Sequence, residues 1–321
     1  MKFVVTGGAG FVGSNLVKYL NDKGETNIVI IDTYENKKMH NLHDLQFADF
    51  IDFKDGIDKV LSILEKKAPF AAFFHIGANA NVLEYNEKVM MYDNYEYSKA
   101  YAQFCYEHNI PFIYASSSAV YGNSRTFKVG IENEWPHNTY SWSKWLFDKY
   151  VEENYLKTPF RIYGFRFFNV FGEGEFHKGK NACIANRFVS FIKEKGFIDL
   201  FDQEIKRDYV YVKDLAEVLY KTFKQRDMPS GIYNLGGGHC ISHKEIAEMV
   251  VDSYFEKGKL KGKKEDYIKT IEMPEALKER FQFFTLAENL LPFISAIACE
   301  NVKKMKSYID LLVDMDYCYH E

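Results

Sequence analysis

Short apolar runs alternate with longer stretches of helical spacing along most of this chain. Residues 2–5 form a strand-like run that ends in Gly7-Gly8-Ala9-Gly10, after which Phe11, Leu16, Val17 and Leu20 recur at helical spacing. Runs at 28–31, 70–74, 112–115 and 161–168 predict further strands, and helices are predicted over 86–108 and 140–156. Strands that read as continuous apolar runs are covered on both faces, so the pattern predicts α/β architecture: a doubly wound parallel sheet of Rossmann type. After Gly172 the rhythm loosens. Helical spacing returns at 181–195, 214–224, 242–255 and 275–280, and extended runs fall at 197–201, 209–212 and 231–235. These predict a smaller α/β region interleaved with the first, without internal repeats and without a linker between the two.

Composition narrows the class. With 47% hydrophobic and 27% charged residues and only 7 prolines, the chain can bury a substantial core and is not a disordered one. A net charge of -4, with a single basic cluster at 257–264, excludes a phosphate-backbone binder, so no nucleic acid is expected as a partner. We read the cluster as a solvated loop. Cys105, Cys183, Cys240, Cys299 and Cys318 have neither paired nor metal-like spacing, which predicts reduced thiols and no metal site. The apolar stretch 290–299 is interrupted by Pro292 and falls short of the roughly 20 residues of a membrane span. Met1-Lys2-Phe3 runs directly into the glycine turn, which leaves no room for a secretory apolar region, and the expected location is cytoplasmic.

Gly7, Gly10 and Gly13 form a G-x-x-G-x-x-G pattern between strand and helix, close to the dinucleotide-binding fingerprint. The first glycine allows a tight turn, the second a close approach of the pyrophosphate, and the third close packing of the helix. Asp32, at the end of the second strand, is placed to bind the adenosine ribose and by itself favours NAD. Lys37 and Lys38 lie near enough in sequence to balance a 2′-phosphate and admit NADP.

Tyr140 and Lys144 stand four residues apart, hence on one face of a predicted helix. A phenol with a pKa near ~10 becomes a usable base when an ammonium and an oxidised nicotinamide stand beside it. Ala115-Ser116-Ser117-Ser118 follows an apolar strand and offers hydroxyls to orient an alcohol or carbonyl.

Glycine turn, serine segment and Tyr-x-x-x-Lys occur in the order that marks extended short-chain dehydrogenases/reductases. Within them the chain resembles the ADP-L-glycero-D-manno-heptose 6-epimerases. The likeness is carried by residues 6–15 (TGGAGFVGSN), 41–45 (NLHDL), 110–117 (IPFIYASS), 164–172 (GFRFFNVFG), 177–179 (HKG), 206–212 (KRDYVYV), 232–236 (IYNLG) and 282–285 (QFFT). It runs from the start to about Thr285. The resemblance implies an NADP enzyme that inverts C6″ of an ADP-heptose by transient oxidation. Tyr140 and Lys178 would be its acid/base pair, supported by Lys144 and by Ser117, which stands four residues before Tyr121.

By the same likeness, Gly7, Gly10, Phe11, Val12 and Gly13 would hold the cofactor with Asp32, Thr33, Lys38, Lys54, Asn94, Lys144, Val170 and Lys178. Ser117, Asn169, Lys180, Arg187, Phe201, Arg207 and Phe281 would line the nucleotide-sugar site; Arg207 offers a forked guanidinium suited to a diphosphate. The cofactor-binding domain would comprise 1–172 and about 208–237, and the substrate-binding domain about 173–207 and 238–321. The family also implies a homo-oligomer, a pentamer. The chain departs from a member of that family at Lys180 and Arg187, where that member carries serine and histidine, and at Phe281, where it carries tyrosine. Beyond Thr285 the family's Gly-Tyr turn and final amphipathic helix are not found, and 286–321 is expected to pack differently.

Overall fold

The computed structural model describes residues 1–80, 86–278 and 281–315. Twelve strands follow in chain order: β1 Phe3–Thr6, β2 Ile28–Asp32, β3 Asp49–Asp52, β4 Ala72–His75, β5 Phe112–Ser117, β6 Ile162–Phe167, β7 Asn169–Phe171, β8 Ile198–Phe201, β9 Lys206–Tyr211, β10 Gly231–Leu235, β11 Cys240–Ser242 and β12 Ile268–Ile271. Seven of them form one sheet in the order β10-β6-β5-β4-β1-β2-β3, every pair parallel. This is the doubly wound Rossmann arrangement, and the chain reverses direction across the sheet between β1 and β4, where such folds bind ligands.

Alternate residues of one strand face opposite layers. Phe3 and Val5 pack with Leu16, Val17 and Leu20 of the helix Phe11–Asp22 and with Leu215 and Leu219 of the helix Val212–Lys224. Val4 points the other way, toward Val60 of Ile57–Lys67, Tyr101 of Tyr97–Glu107 and Phe147 of Thr139–Asn154. Two-sided burial explains the unbroken apolar runs.

Another core collects β7, β9, β11 and the helices Ile184–Lys195, His243–Glu256 and Asn301–Asp314. Here the sequence expectation needs correction. The tail carries an amphipathic helix after all, burying Met305, Tyr308, Ile309, Leu312 and Val313 against Ala185, Ile246 and Val250. Each such side chain contributes about 1.5–3 kcal/mol on burial. The helix predicted over 86–108 is likewise interrupted: Glu87–Met91 and Tyr97–Glu107 flank a π-helical turn, Tyr92–Glu96. The helix expected at 275–280 is described as Glu275–Lys278, and 279–280, like Cys318, lies outside the described residues.

The lysine cluster 257–264 is a surface loop, with Lys257 paired to Asp314 and Lys264 to Asp252. Among the described residues no helix is long and apolar enough to cross a membrane.

Candidate active site

Between β1 and its following helix the chain turns sharply, and Gly7 makes the turn at φ +67°. A Cβ at Gly7 would lie 2.6 Å from Gly77 Cα, and one at Gly13 would lie 2.0 Å from the Gly7 carbonyl oxygen, so neither position admits a side chain. Gly10 opens the helix without a side-chain cap. The first-turn N–H groups are thereby left to an outside anion at the positive helix end, and a dinucleotide pyrophosphate fits this cradle around Phe11 and Val12.

Asp32, at the end of β2, accepts from Ala9 N (2.9 Å) and Thr33 N (2.7 Å). Lys38 Nζ sits 2.7 Å from Asp32 Oδ1 and 2.6 Å from Thr33 Oγ1, while Lys37 is exposed. A hydrogen bond from Thr33, opposed by burial and aided by Lys38 and Lys54, holds the Glu35 carboxyl below its ordinary value. The exposed Lys54 therefore shares this rim.

A relay behind the turn was not read from sequence. Gly77 N donates to Thr6 Oγ1, which bonds His75 Nδ1 at 2.7 Å; His75 Nε2 meets Ser98 Oγ at 2.8 Å, and Ser98 donates to Asn94 O. Burial, then the nearby Lys144 ammonium, keeps His75 well below its ordinary pKa, so the ring is neutral and donates from Nε2. Asn94, in the π turn, spends its amide on both sides of Asn79 and on Ser143 (3.1 Å). It shapes the wall next to the helix of Tyr140.

That helix starts on a capping box, with Asn138 Oδ1 accepting from Ser141 N and Ser141 Oγ accepting from Asn138 N. Tyr140 therefore stands in a fixed first turn. Burial raises its phenol above the ordinary value, against a hydrogen bond with Ser117 that lowers it. One turn on, Lys144 is 4% exposed and donates to Ala115 O at 2.9 Å. Burial brings its ammonium down to about 8, with Asp148 pulling the other way. The structure thus brings Tyr140, Ser117 and Lys144 together at the end of β5.

Beneath them lies an ionic base. Asp148 accepts from Tyr114 OH (3.0 Å), Ser116 Oγ (2.9 Å) and Arg166 Nε (3.0 Å). Arg166 Nη2 is 2.7 Å from Glu134 Oε1, and all three charged side chains are fully buried. Asp148 follows Lys144 by one helical turn, a spacing that could have revealed it.

Lys178 comes from a separate segment, the turn Phe176–Asn181, with its Nζ 5.2 Å from the centre of the Phe11 ring. Lys180 is exposed at the end of the same turn. On the third side, Arg207 of β9 lies over the Phe281 ring (5.2 Å) and donates to Gln282 Oε1 (3.2 Å). Gln282 in turn donates to Gly122 O (2.8 Å), which joins this pocket to the serine segment. Burial lowers Arg207 to about 10. His243, not foreseen, is driven down to about 3 by burial and then by the nearby charges of Arg207 and Arg187. Asn169 and Val170 sit on β7, paired with Tyr209 and Val210. Phe201 ends β8, paired with Ile271 of β12.

The family model described as the NAD dependent epimerase/dehydratase family matches residues 3–236. An ADP-L-glycero-D-manno-heptose-6-epimerase from Helicobacter pylori superposes with a TM-score of 0.79 at 27% identity, covering 98% of this chain and 96% of that one. A UDP-N-acetylglucosamine 4-epimerase from Methanobrevibacter ruminantium (TM-score 0.77, 23% identity, 97% and 96% coverage) shares the fold. So does a UDP-glucose 4-epimerase from Thermotoga maritima (0.72, 19%, 98% and 98%). The glycine cradle, the Tyr140–Lys144 helix and a match over most of its length agree: the chain belongs to the NAD dependent epimerase/dehydratase family.

Proposed function

We propose that this protein is an NADP-dependent nucleotide-sugar epimerase that converts ADP-D-glycero-D-manno-heptose to its L-glycero form at C6″. One observation supports the reading: a buried phenol interacts with Ser117 at the end of β5, and the Lys178 ammonium lies over the ring of Phe11, the first residue after the glycine turn. Inversion requires proton handling on both sides, because the hydroxyl points in different directions in substrate and product. The likeness to the Helicobacter heptose epimerase along nearly the whole chain favours the heptose.

The cofactor would be held by Gly7, Gly10, Gly13, Phe11, Val12, Asp32, Thr33 and Lys38, with Lys54, Asn94, Lys144 and Val170 around it. When bound, the nicotinamide takes up and returns the hydrogen of the carbinol carbon. Tyr140 removes the hydroxyl proton at its phenolic oxygen, and Ser117 orients that hydroxyl. Lys144 stabilises the phenolate from one turn away. Lys178 delivers or takes the proton on the other face once the carbonyl has turned. Arg207 and Arg187 hold the diphosphate, with Phe281, Asn169, Lys180 and Phe201 toward the nucleotide and sugar. In this reading 1–172 and about 208–237 bind the cofactor, and the remainder binds the substrate.

A 4,6-dehydratase would need free carboxyl groups beside the serine. Ser118 and Ala119 stand there, and the nearest acids, Asp148 and Glu134, are committed to Arg166. A C4 epimerase is the second reading, favoured by Arg187, which places a half-buried cation where a heptose-epimerase family member has histidine. Product analysis with ADP-heptose, UDP-glucose and a GDP-sugar separates them. Turnover of UDP-glucose alone would overturn the heptose assignment, and turnover of none would overturn the epimerase. Mass spectrometry of dinucleotide released on denaturation reads NADP against NAD.

A further inference from the structure

The segment 41–45 repeats the heptose-epimerase pattern, yet no step above uses it. Asn41 explains why it matters. Its Nδ2 lies 3.0 Å from Ala9 O in the glycine turn, 3.1 Å from Gly174 O, and 3.2 Å from Nδ1 of His177, the residue before Lys178. Two hydrogens are shared among three acceptors. Burial, followed by the Lys178 and Lys38 charges, holds His177 below its ordinary pKa, so the imidazole is neutral and Nδ1 can accept.

One carboxamide thus joins the turn that cradles pyrophosphate to the loop that carries the second proton-handling group. Other pegs hold this loop elsewhere. Asn15 Nδ2 bonds Glu173 O (2.8 Å), the Glu175 carboxylate accepts from Cys183 N (2.7 Å) and Tyr308 OH (2.9 Å), and the Glu175 carbonyl accepts from Lys178 N (2.9 Å), but none of these bonds reaches the His177 ring. The chemistry of an amide also suits the place. A carboxylate here would repel the phosphates and draw the ammonium toward itself, whereas a neutral donor fixes the loop without adding a field.

We propose that Asn41 is a positioning residue that sets Lys178 over the glycine turn, and that its two amide hydrogens, not its bulk, do so. The catalytic part of this inference rests on the reading of Lys178 as a proton-transfer group. The positional part does not.

Two arms test it on the full-length protein. In the first, brief acylation with an N-hydroxysuccinimide ester, read by peptide mass spectrometry, compares wild type with Asn41→Ala and with Asn41→Leu, which keeps bulk but has no donor. Lys178 is expected to label faster in both variants, by up to about tenfold, the scale of one net hydrogen bond, while Lys264 is unchanged. Unchanged labelling of Lys178 in either variant overturns the proposal.

In the second arm, kcat and KM are measured for Asn41→Ala, Lys178→Ala and the double variant. Asn41→Ala should lower kcat with little change in KM, and the loss should vanish in the Lys178→Ala background. Losses that multiply mean Asn41 acts elsewhere, and overturn it. Full activity of Lys178→Ala would instead refute the proton-transfer reading of Lys178, and the labelling arm would then decide the role of Asn41 alone.

Discussion

The two walls of the cleft are built differently. Tyr140 and Lys144 stand on a capped helix whose underside is pinned by the buried Asp148–Arg166–Glu134 network, itself tied to Tyr114, Ser116 and Trp145. Lys178 stands on a short turn held by one buried carboxylate, Glu175, which accepts from the neutral Cys183 N and Tyr308 OH, by the amides of Asn15 and Asn41, and by exposed or half-exposed pairs such as Lys213–Glu173. Buried ions are unforgiving, since each charge without its partner is costly in a low-dielectric interior, and a network of them locks one geometry. Neutral bonds near the surface are exchanged for water at small cost. One wall therefore fixes the proposed proton acceptor, Tyr140, at a single point, while the other has more room to adjust during the proposed turning of the sugar carbonyl.

The largest expected effect strikes the fixed wall. Tyr140→Phe removes only the oxygen that moves the proton and should lower kcat by about 10²–10⁴-fold while dinucleotide still co-purifies; full activity would remove Tyr140 from the reaction. Next comes the ionic base. Arg166→Met leaves Asp148 and Glu134 buried without their shared cation and should cost about 3–5 kcal/mol in denaturant unfolding. A loss near zero would mean the wall is not held by these charges.

Asp148 also sets a pH limit. The active form carries the Lys144 ammonium, so kcat/KM should fall as pH rises through about 8, where burial has brought that group. Because Asp148 raises the Lys144 value, Asp148→Asn should move this alkaline limb to lower pH; an unmoved limb would assign it to another group. The stability linkage has the opposite sense. The folded value lies below the ordinary 10.5, so unfolding takes up a proton between the two values, and the Lys144 contribution to stability rises with pH across that window.

What could be read from the sequence was what is local. The glycine turn, the Tyr140–Lys144 pair and the apolar strands are patterns within one or two elements, and the fold preserves each. Asp148, four residues after Lys144, was equally local, but its meaning depends on Arg166, which reaches it only through the β5/β6 register that sets Ser116 beside Arg166. The Asn41–His177 contact spans 136 residues and has no periodicity to betray it. The π turn at Asn94 inserts one residue into an otherwise regular helical spacing, which apolar periodicity does not resolve. The tail helix is also local: Met305, Tyr308, Ile309 and Leu312 have the spacing of one helix face, although no Gly-Tyr turn precedes them.

Lys38 lies on the adjustable side, in the segment that leads to Asn41. It pairs with Asp32 and, with two of its three hydrogens on Asp32 and Thr33, retains one for a 2′-phosphate, so Lys38→Ala should weaken NADP by roughly 10–100-fold, the worth of a charge-assisted hydrogen bond, and NAD far less. Equal weakening of both would mean that Lys38 reads no phosphate.

The smallest effect belongs to the ion pair on that same wall. Lys213 Nζ is 2.7 Å from Glu173 Oε1, as close as Arg166 is to Glu134, but its side chain is 50% exposed and that of Glu173 33%. Tyr211 OH also donates to Glu173, so the carboxylate keeps a partner when the lysine is gone. Lys213→Ala should therefore cost less than about 1 kcal/mol in the same unfolding experiment and leave kcat unchanged. Two ion pairs of equal length would then differ several-fold in their effect because one is dry and the other wet. A loss on the scale of Arg166→Met would show instead that the Lys178 wall is as rigidly charged as the Tyr140 wall, and the contrast between them would fail.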